Sequence, residues 1–473
     1  MQRTRLIAVL GTLAISACAL KDLPPHEEIV HQAVPNVIQP PMWAADGAAA
    51  GMVGDNWLAS FHEPQLDDLV KEALAYNADL RLAAARVDLA VAYLAAAKSP
   101  LWPQVNLVAR GGGKMSGDSS GIQGIGLFAS WELDLWGRVR AVTRATEMQY
   151  ESAQLDAEFA RQSSAALTAK GWILAVEARL SRAQAEAMLK ASEQLAFLAR
   201  ERLRVGNGDE YDVAVAQADV ENLRDTVRNL DLGYANALRA LESLAGRYPA
   251  ASVTVAEALP GWPGDTPTGL PSELLERRPD VVGAERRVAA AFYRVEEAKA
   301  AQLPRITLVA NFTSISSELF VLKNRDNPLF SLGAGLVEPI FLGGLLQAQV
   351  AARTAEQQAA LAEYGKVGQR AFAEVEGALS AGVTAGEREQ ILSRAVRESE
   401  RAVELATVRY RIGTIDLRGV QQQQLALDTS RMALLRMQSE RLVQRVNLHL
   451  ALGGSFEAVA AQVKGSDASD AMH

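Results

Sequence analysis

Between residues 278 and 308 the apolar positions change period. Val281, Ala284, Val288, Ala291, Val295 and Ala298 step by threes and fours. That is a seven-residue repeat, and it predicts a helix packed along a seam. Pro279 suits the first turn of such a helix, where a missing N–H costs nothing. Leu303, which precedes Pro304, is pushed out of the helical region, so the helix ends there and a strand follows. The same pattern stands 201 residues earlier. Asp79 takes the place of Asp280, and the seam becomes Leu80, Ala83, Val87, Ala90, Leu94 and Ala97. Ala97-Lys98 takes the place of Ala298-Lys299, Pro103 of Pro304 and Leu107 of Leu308. A seam, its polar neighbours and a helix-ending proline in one register mark a tandem repeat.

Each repeat continues with alternation. Val105, Leu107 and Ala109 alternate with Asn106, Val108 and Arg110; after a glycine-rich turn, Leu127, Ala129, Trp131, Leu133 and Leu135 alternate with their neighbours. Period two predicts strands, giving a hairpin over 103–136 and a second over 305–341. No proline occurs between Pro103 and Pro249, so 140–205 reads as one helix of roughly 65 residues, about 100 Å long. Gly206-Asn-Gly208 breaks it, and a helix over 209–245 returns. Residues 249–271 hold five prolines and form a linker. Helices over 345–412 and 417–452, broken at Gly413, repeat the plan. Val337-Glu-Pro-Ile-Phe-Leu-Gly343 aligns with Trp131-Glu-Leu-Asp-Leu-Trp-Gly137 at an offset of 206. Arg409-Tyr-Arg-Ile-Gly413 aligns with Arg202-Leu-Arg-Val-Gly206, and Gln424 with Gln217, at an offset of 207. The expected organisation is repeat 1 over 57–248, the linker, repeat 2 over 272–454, and a disordered tail over 455–473. Asn77 is the expected N-cap of the first seam helix.

Composition narrows the class. The 473 residues are 49% hydrophobic and only 6% aromatic, so small aliphatic side chains do the packing, which suits long, close helices. A net charge of −8 argues against a nucleic-acid partner. No run of about 18 apolar residues occurs, so no spanning helix is expected; strands of a membrane barrel would leave only a weak hydropathy signal. Four strands per chain cannot close a barrel, whereas three chains supply twelve. Strands of about 10–13 residues are long enough to cross a bilayer at a tilt. Trp131 and Trp136 then serve as interfacial aromatics or pack between subunits. The five histidines show no ligand spacing, no Ser/His/Asp set is recognisable, and the nine methionines are scattered. Neither enzyme chemistry nor a cofactor or metal is expected.

The N-terminus has a basic n-region (Arg3, Arg5), an apolar stretch over 6–15 and then Ile15-Ser16-Ala17-Cys18, which ends on the only cysteine. This resembles a lipobox. It implies a signal peptide over 1–17, lipid on Cys18, and an extended tether over 18–56. A plain signal peptide with an incidental cysteine is the alternative. Ala19 in place of an aspartate points to the outer membrane.

Arg278-Pro-Asp280, the Ala-Lys/Leu-Pro ending at 298–304, Leu-Asp-Leu-Trp-Gly-Arg at 133–138, Pro-Ile-Phe-Leu-Gly-Gly at 339–344 and Ala-Leu-Gly-Gly at 451–454 resemble the TolC-like outer-membrane factor family. Within it they are closest to the lipoprotein branch of OprM and NodT type. The resemblance covers nearly all of 55–455. It implies an α+β membrane protein: a homotrimer with a twelve-stranded transmembrane β-barrel and a long antiparallel α-helical barrel. The function it implies is a passive exit duct of a tripartite efflux pump, with a periplasmic adaptor (membrane fusion protein) and an inner-membrane transporter as partners. A type I protein-secretion duct would use the same fold, and a poreless coiled-coil scaffold is the third reading.

The resemblance also assigns sites. Val205, Gly206, Ile412 and Gly413 match the adaptor-docking turns, although a glycine there also serves simply to end a helix. Tyr410 and Asp212 match a phenol–carboxylate latch of the closed periplasmic entrance; ordinary surface residues are the alternative. The acidic positions six and nine residues after the second glycine are Gly419 and Gln422 here. A ring of three Asp416 at the entrance then favours cations, and the gate rests on amide hydrogen bonds through Gln422 and its neighbours and on packing of Leu417 and Val420, unless Gln421–Gln424 is only a solvated face.

Overall fold

Asn77 sets the first seam helix in place. Its Oδ1 accepts from the Asp79 N–H at 2.8 Å and the Leu80 N–H at 3.4 Å, while its Nδ2 donates to the Leu244 carbonyl at 3.0 Å. The cap satisfies N–H groups that a helix start leaves without partners. The structure is a computed structural model, and it describes residues 21–37, 40–49, 51–110, 123–316 and 328–457. The helices are α1 (His26–Ala33), α2 (Pro64–Tyr76), α3 (Ala78–Lys98), α4 (Arg138–Arg204), α5 (Glu210–Leu244), α6 (Leu274–Arg277), α7 (Pro279–Ala300), α8 (Leu345–Arg411) and α9 (Leu417–Ala451). The strands are β1 (Gln104–Arg110), β2 (Gln123–Leu133), β3 (Arg305–Ser316) and β4 (Pro328–Val337). The repeat is visible in lengths alone: α4 and α8 each have 67 residues, and α5 and α9 each have 35.

The chain divides into two compact units. One holds Ala84–Asp156 and Asp280–Gly368 with the residues up to Val37; the other holds Ile38–Ala83, Ala157–Pro279 and the chain from Gln369 onward.

In the first unit the strands form one antiparallel sheet in the order β1-β2-β3-β4. Its register separates two faces. Leu107 pairs with Leu127, Leu127 with Phe312 and Phe312 with Phe330, an apolar row across all four strands. The neighbouring row, Asn106, Phe128, Asn311 and Ser331, lies on the other face, where Asn311 Nδ2 donates to Ser331 Oγ at 3.3 Å. The seam of α7 is buried at Val281, Ala284, Val288, Val295 and Ala298. At its flank Arg287 pairs with Asp156 at 2.9 Å and Arg286 with Glu151 at 3.0 Å. The α3 seam differs. Its six positions are only half-buried, no residue of the helix is buried, and Leu82, Leu89 and Tyr93 are exposed.

In the second unit a core gathers Trp57, Phe61, Leu66, Trp172, Ile173, Leu241, Val253 and Val446. The linker is tied to it by Glu242, which is 0% exposed. Its carboxylate accepts from the Ala251, Ser252 and Val253 N–H groups at 2.7, 2.6 and 3.0 Å and from Ser252 Oγ at 2.9 Å. Burial pushes its pKa up, but these hydrogen bonds outweigh burial and hold it below the usual value. Arg278, only 1% exposed, donates to Glu374 at 2.6 Å and to the Ala451 carbonyl at 3.2 Å, and its guanidinium lies over Phe159.

Three expectations change. The segment read as wholly extended contains α1, set between Pro25 and Pro35, with Glu27 and Glu28 in its first turn and Ile29 buried. The second hairpin stops at Val337, because Pro339 has no N–H for a ladder, and the first stops at Leu133. The tail read as disordered from 455 packs at its start. Gly453 adopts φ +68 and Phe456 enters the Trp57 core, with Arg161 over its ring at 5.5 Å.

Candidate functional site at the paired helix turns

Two turns end the long helices within the second unit. Gly206 and Gly413 adopt φ +79 and +81, values an L side chain rarely takes. After each glycine the next N–H reaches back across the turn: Asn207 to the Arg202 carbonyl and Thr414 to the Arg409 carbonyl, both at 2.9 Å. Gly206 and Gly413 themselves donate to Leu203 and Tyr410 carbonyls at 3.0 and 3.1 Å. This pairing satisfies the orphan carbonyls of each helix end. Asp209 then caps α5 by accepting from the Tyr211 N–H, and Asp416 caps α9 by accepting from the Gly419 N–H at 3.0 Å. A Cβ at Gly206 or Gly413 would meet no heavy atom within 4 Å, and Val205 and Ile412 are 60% and 69% exposed.

The two turns share one small core. Ala196, Ala199, Ala216 and Val220 of the first helix pair meet Ala406, Tyr410, Leu417 and Val420 of the second. Leu417 and Val420, expected as gate packing, are therefore buried between the pairs. Tyr410 is 4% exposed, and no hydrogen bond joins it to Asp212 among the described residues; instead the Arg202 guanidinium lies over its ring at 4.5 Å. Arg418 lies over Tyr211 at 5.0 Å and stands 4.0 Å from Asp416. Asp416 is thus first of all a helix cap, although its side chain remains exposed.

Gln422 lines a groove of about 620 Å3 beside the turns, together with Gln421, Gln424, Leu425, Leu195 and Leu223. Two carboxylates border it. Burial raises the pKa of Asp219. Burial also raises that of Asp428, against the opposing effects of the Gln424 hydrogen bond at 3.1 Å and of Arg431. The sequence pattern assigns no site role to either acid, nor to Arg202, Tyr211 and Arg418. The offset of 207 carries the missing signal, because it sets Tyr211 against Arg418 and Leu203 against Tyr410. Cys18, the expected lipid site, lies outside the described residues.

The sheet is the second element of function. Val105, Ile125, Leu127, Leu308, Phe312, Phe330, Leu332 and Leu336 share one face, and most of them are exposed. Trp131 and Trp136, both half-buried, donate their indole N–H groups to the Leu101 and Pro304 carbonyls at 3.0 and 2.6 Å. No described helix is long and apolar enough to cross a membrane.

An amphipathic antiparallel sheet joined to duplicated pairs of very long helices defines a class, the outer-membrane channel proteins. The comparisons narrow it: the outer membrane efflux protein family matches over residues 69–247 and 270–454, and the chain belongs to that family. The pyoverdine export outer membrane protein OpmQ of Pseudomonas putida is 30% identical over 442 residues, covering 89% of this chain and 93% of the relative. The cation efflux system protein CusC of Escherichia coli is 28% identical over 467 residues, covering 97% and 100%. Among solved structures, the outer-membrane channel OprN superposes with a TM-score of 0.81 at 27% identity, covering 90% of this chain and 99% of that one. The Campylobacter jejuni CmeC channel gives 0.85 at 23% identity, covering 95% and 98%, a likeness of fold. The chain is accordingly an outer-membrane efflux component that extends into the periplasm.

Proposed function

We propose that three copies of this chain close a twelve-stranded β-barrel in the outer membrane, with their long helices forming an α-helical barrel below it. The tube is the passive exit duct of a tripartite pump. The observation that carries this reading is the sheet: one face is apolar and exposed, and β1 and β4 each pair on one edge only. In lipid an open edge leaves backbone groups without partners. Because four antiparallel strands are an even number, β4 of one copy meets β1 of the next in antiparallel sense, and the ring closes without a mismatch. The exposed apolar side of α3 is a surface for the same neighbours. Cys18 anchors each chain by lipid. Likeness to relatives named for export of pyoverdine and of cations favours small solutes over proteins as cargo.

In this reading the turns at Val205-Gly206 and Ile412-Gly413 form the periplasmic entrance and dock the adaptor, since both are exposed and have open space beside the glycines. An inner-membrane transporter completes the assembly. The test is conductance of the purified protein in planar bilayers, paired with co-purification of the adaptor. Wild type is expected to conduct and to retain the adaptor, while Val205→Glu with Ile412→Glu conducts and loses it. A wild-type protein that never conducts would favour the poreless scaffold, and an adaptor retained by the double variant would refute the docking assignment.

A further inference from the structure

The two helix pairs are joined near their turns by two arginine–tyrosine stacks, one buried and one exposed. Arg202 of α4 lies over Tyr410 of α8 at 4.5 Å, and Arg418 of α9 lies over Tyr211 of α5 at 5.0 Å. Each stack crosses from one repeat to the other, so separating the repeats here breaks both at once. The Arg202 guanidinium meets no carboxylate among the described residues. Tyr410 is itself part of the small core with Ala199, Ala406, Leu417 and Val420, so the stack adjoins that core. At the second stack Asp416 both caps α9 and stands 4.0 Å from Arg418, so the cap helps to hold the guanidinium over the ring.

Resting on the reading of these turns as the channel entrance, we propose that the latch of the closed state is this pair of stacks, Arg202 on Tyr410 and Arg418 on Tyr211, and that the Tyr410 hydroxyl takes no part in it. The chemistry supports the assignment. A guanidinium over an aromatic face is attracted by the ring quadrupole, and the attraction strengthens as water is excluded. Tyr410 is buried and Tyr211 is 51% exposed, so the first stack is the stronger. The ring, not the hydroxyl, is the partner. Phenylalanine at 410 therefore preserves the latch, whereas a phenol–carboxylate latch would be destroyed by it.

The experiment measures open probability of the purified full-length protein in planar bilayers, with far-UV circular dichroism to show that each variant is folded. Tyr410→Phe and Asp212→Asn are expected to match wild type. Arg202→Ala and Tyr410→Leu raise open probability about thirtyfold, and Tyr211→Leu about fivefold, from the usual strengths of buried and exposed stacks. The Arg202→Ala, Tyr410→Leu double variant opens no further than either single variant, because both remove one contact. Opening by Tyr410→Phe or Asp212→Asn equal to that by Arg202→Ala would overturn the proposal, as would additive effects in the double variant. If neither wild type nor any variant conducts, the channel reading itself fails.

Discussion

Arginine at Leu127 separates a membrane sheet from any other use of these strands. Leu127 sits near the middle of β2, in the row Leu107, Leu127, Phe312 and Phe330. Leu127 pairs directly with Leu107 on one side and Phe312 on the other, and none of the row's residues is polar. If this face meets hydrocarbon, an arginine near its midplane costs about 2–4 kcal/mol in each copy, or on the order of 6–12 kcal/mol for a three-copy barrel. That is comparable with the whole stability of many folded domains. The control is Asn311→Arg, one row away on the opposite face, which in the proposed barrel faces the lumen, and its expected cost is below about 1 kcal/mol. The assay is urea unfolding of protein inserted in phospholipid vesicles, followed by tryptophan fluorescence. Leu127→Arg should fail to insert or unfold at markedly lower urea, and Asn311→Arg should track wild type. Equal damage from the two, or none from Leu127→Arg, would refute the assignment of the faces.

His449 supplies a prediction for acid. It is 4% exposed, stacks on Trp57 at 5.7 Å, and has Nε2 at 3.3 Å from Thr266 Oγ1. Burial, and then the Arg445 charge, pull its pKa from 6.5 to about 3. The fold thus binds fewer protons than the unfolded chain. Stability from this group is full above the unfolded value and falls as pH drops from 6.5 toward 3, by up to about 4–5 kcal/mol. Thermal melts at pH 7 and pH 4 should show a smaller acid loss for His449→Asn; an unchanged loss would exclude His449 as its source. At the other end of the chain, Cys18→Ser should abolish incorporation of radiolabelled palmitate, and persisting label would place the lipid elsewhere.

The elements were legible because their signals are long. Prolines at 103, 279 and 304 fix helix and strand ends through sterics, and the α7 seam repeats over three heptads, so α7 and both hairpins could be read before any packing was known. The ends of the strands were less legible. The alternation runs on past Leu133 and Val337, but Asp134 instead caps the start of α4, its Oδ1 and Oδ2 accepting from the Val139 and Arg140 N–H groups at 2.9 Å. Alternation cannot distinguish a strand from a cap that follows it. The site was the least legible part. A motif match directs attention to Tyr410 and Asp212, yet the partner of Tyr410 is Arg202, ten residues before Asp212 and on α4 rather than α5. Contacts between two helix pairs depend on which faces meet, and a single sequence does not state that.

Duplication explains why the new contacts sit where the copies differ. If the two helix pairs were identical in sequence, related positions would face each other with like against like: arginine against arginine, or ring against ring. Like charges in contact repel, so an exact duplicate could hold its turns together only by apolar packing. The offset of 207 shows where the copies have parted. Arg202 and Arg409 remain the same, but Leu203 corresponds to Tyr410 and Tyr211 to Arg418. These differences place the Tyr410 ring opposite the retained Arg202 and set the corresponding, unlike residues Tyr211 and Arg418 against each other. In the shared core Ala199 and Ala406 correspond at this offset, as do Val213 and Val420. Residues the repeats keep in common thus contribute to packing at the turns, and each stack needs at least one residue at which they differ. Tyr410 belongs to both the core and its stack, so the buried stack couples opening to this packing, whereas the stack of Arg418 on the exposed Tyr211 lies outside it.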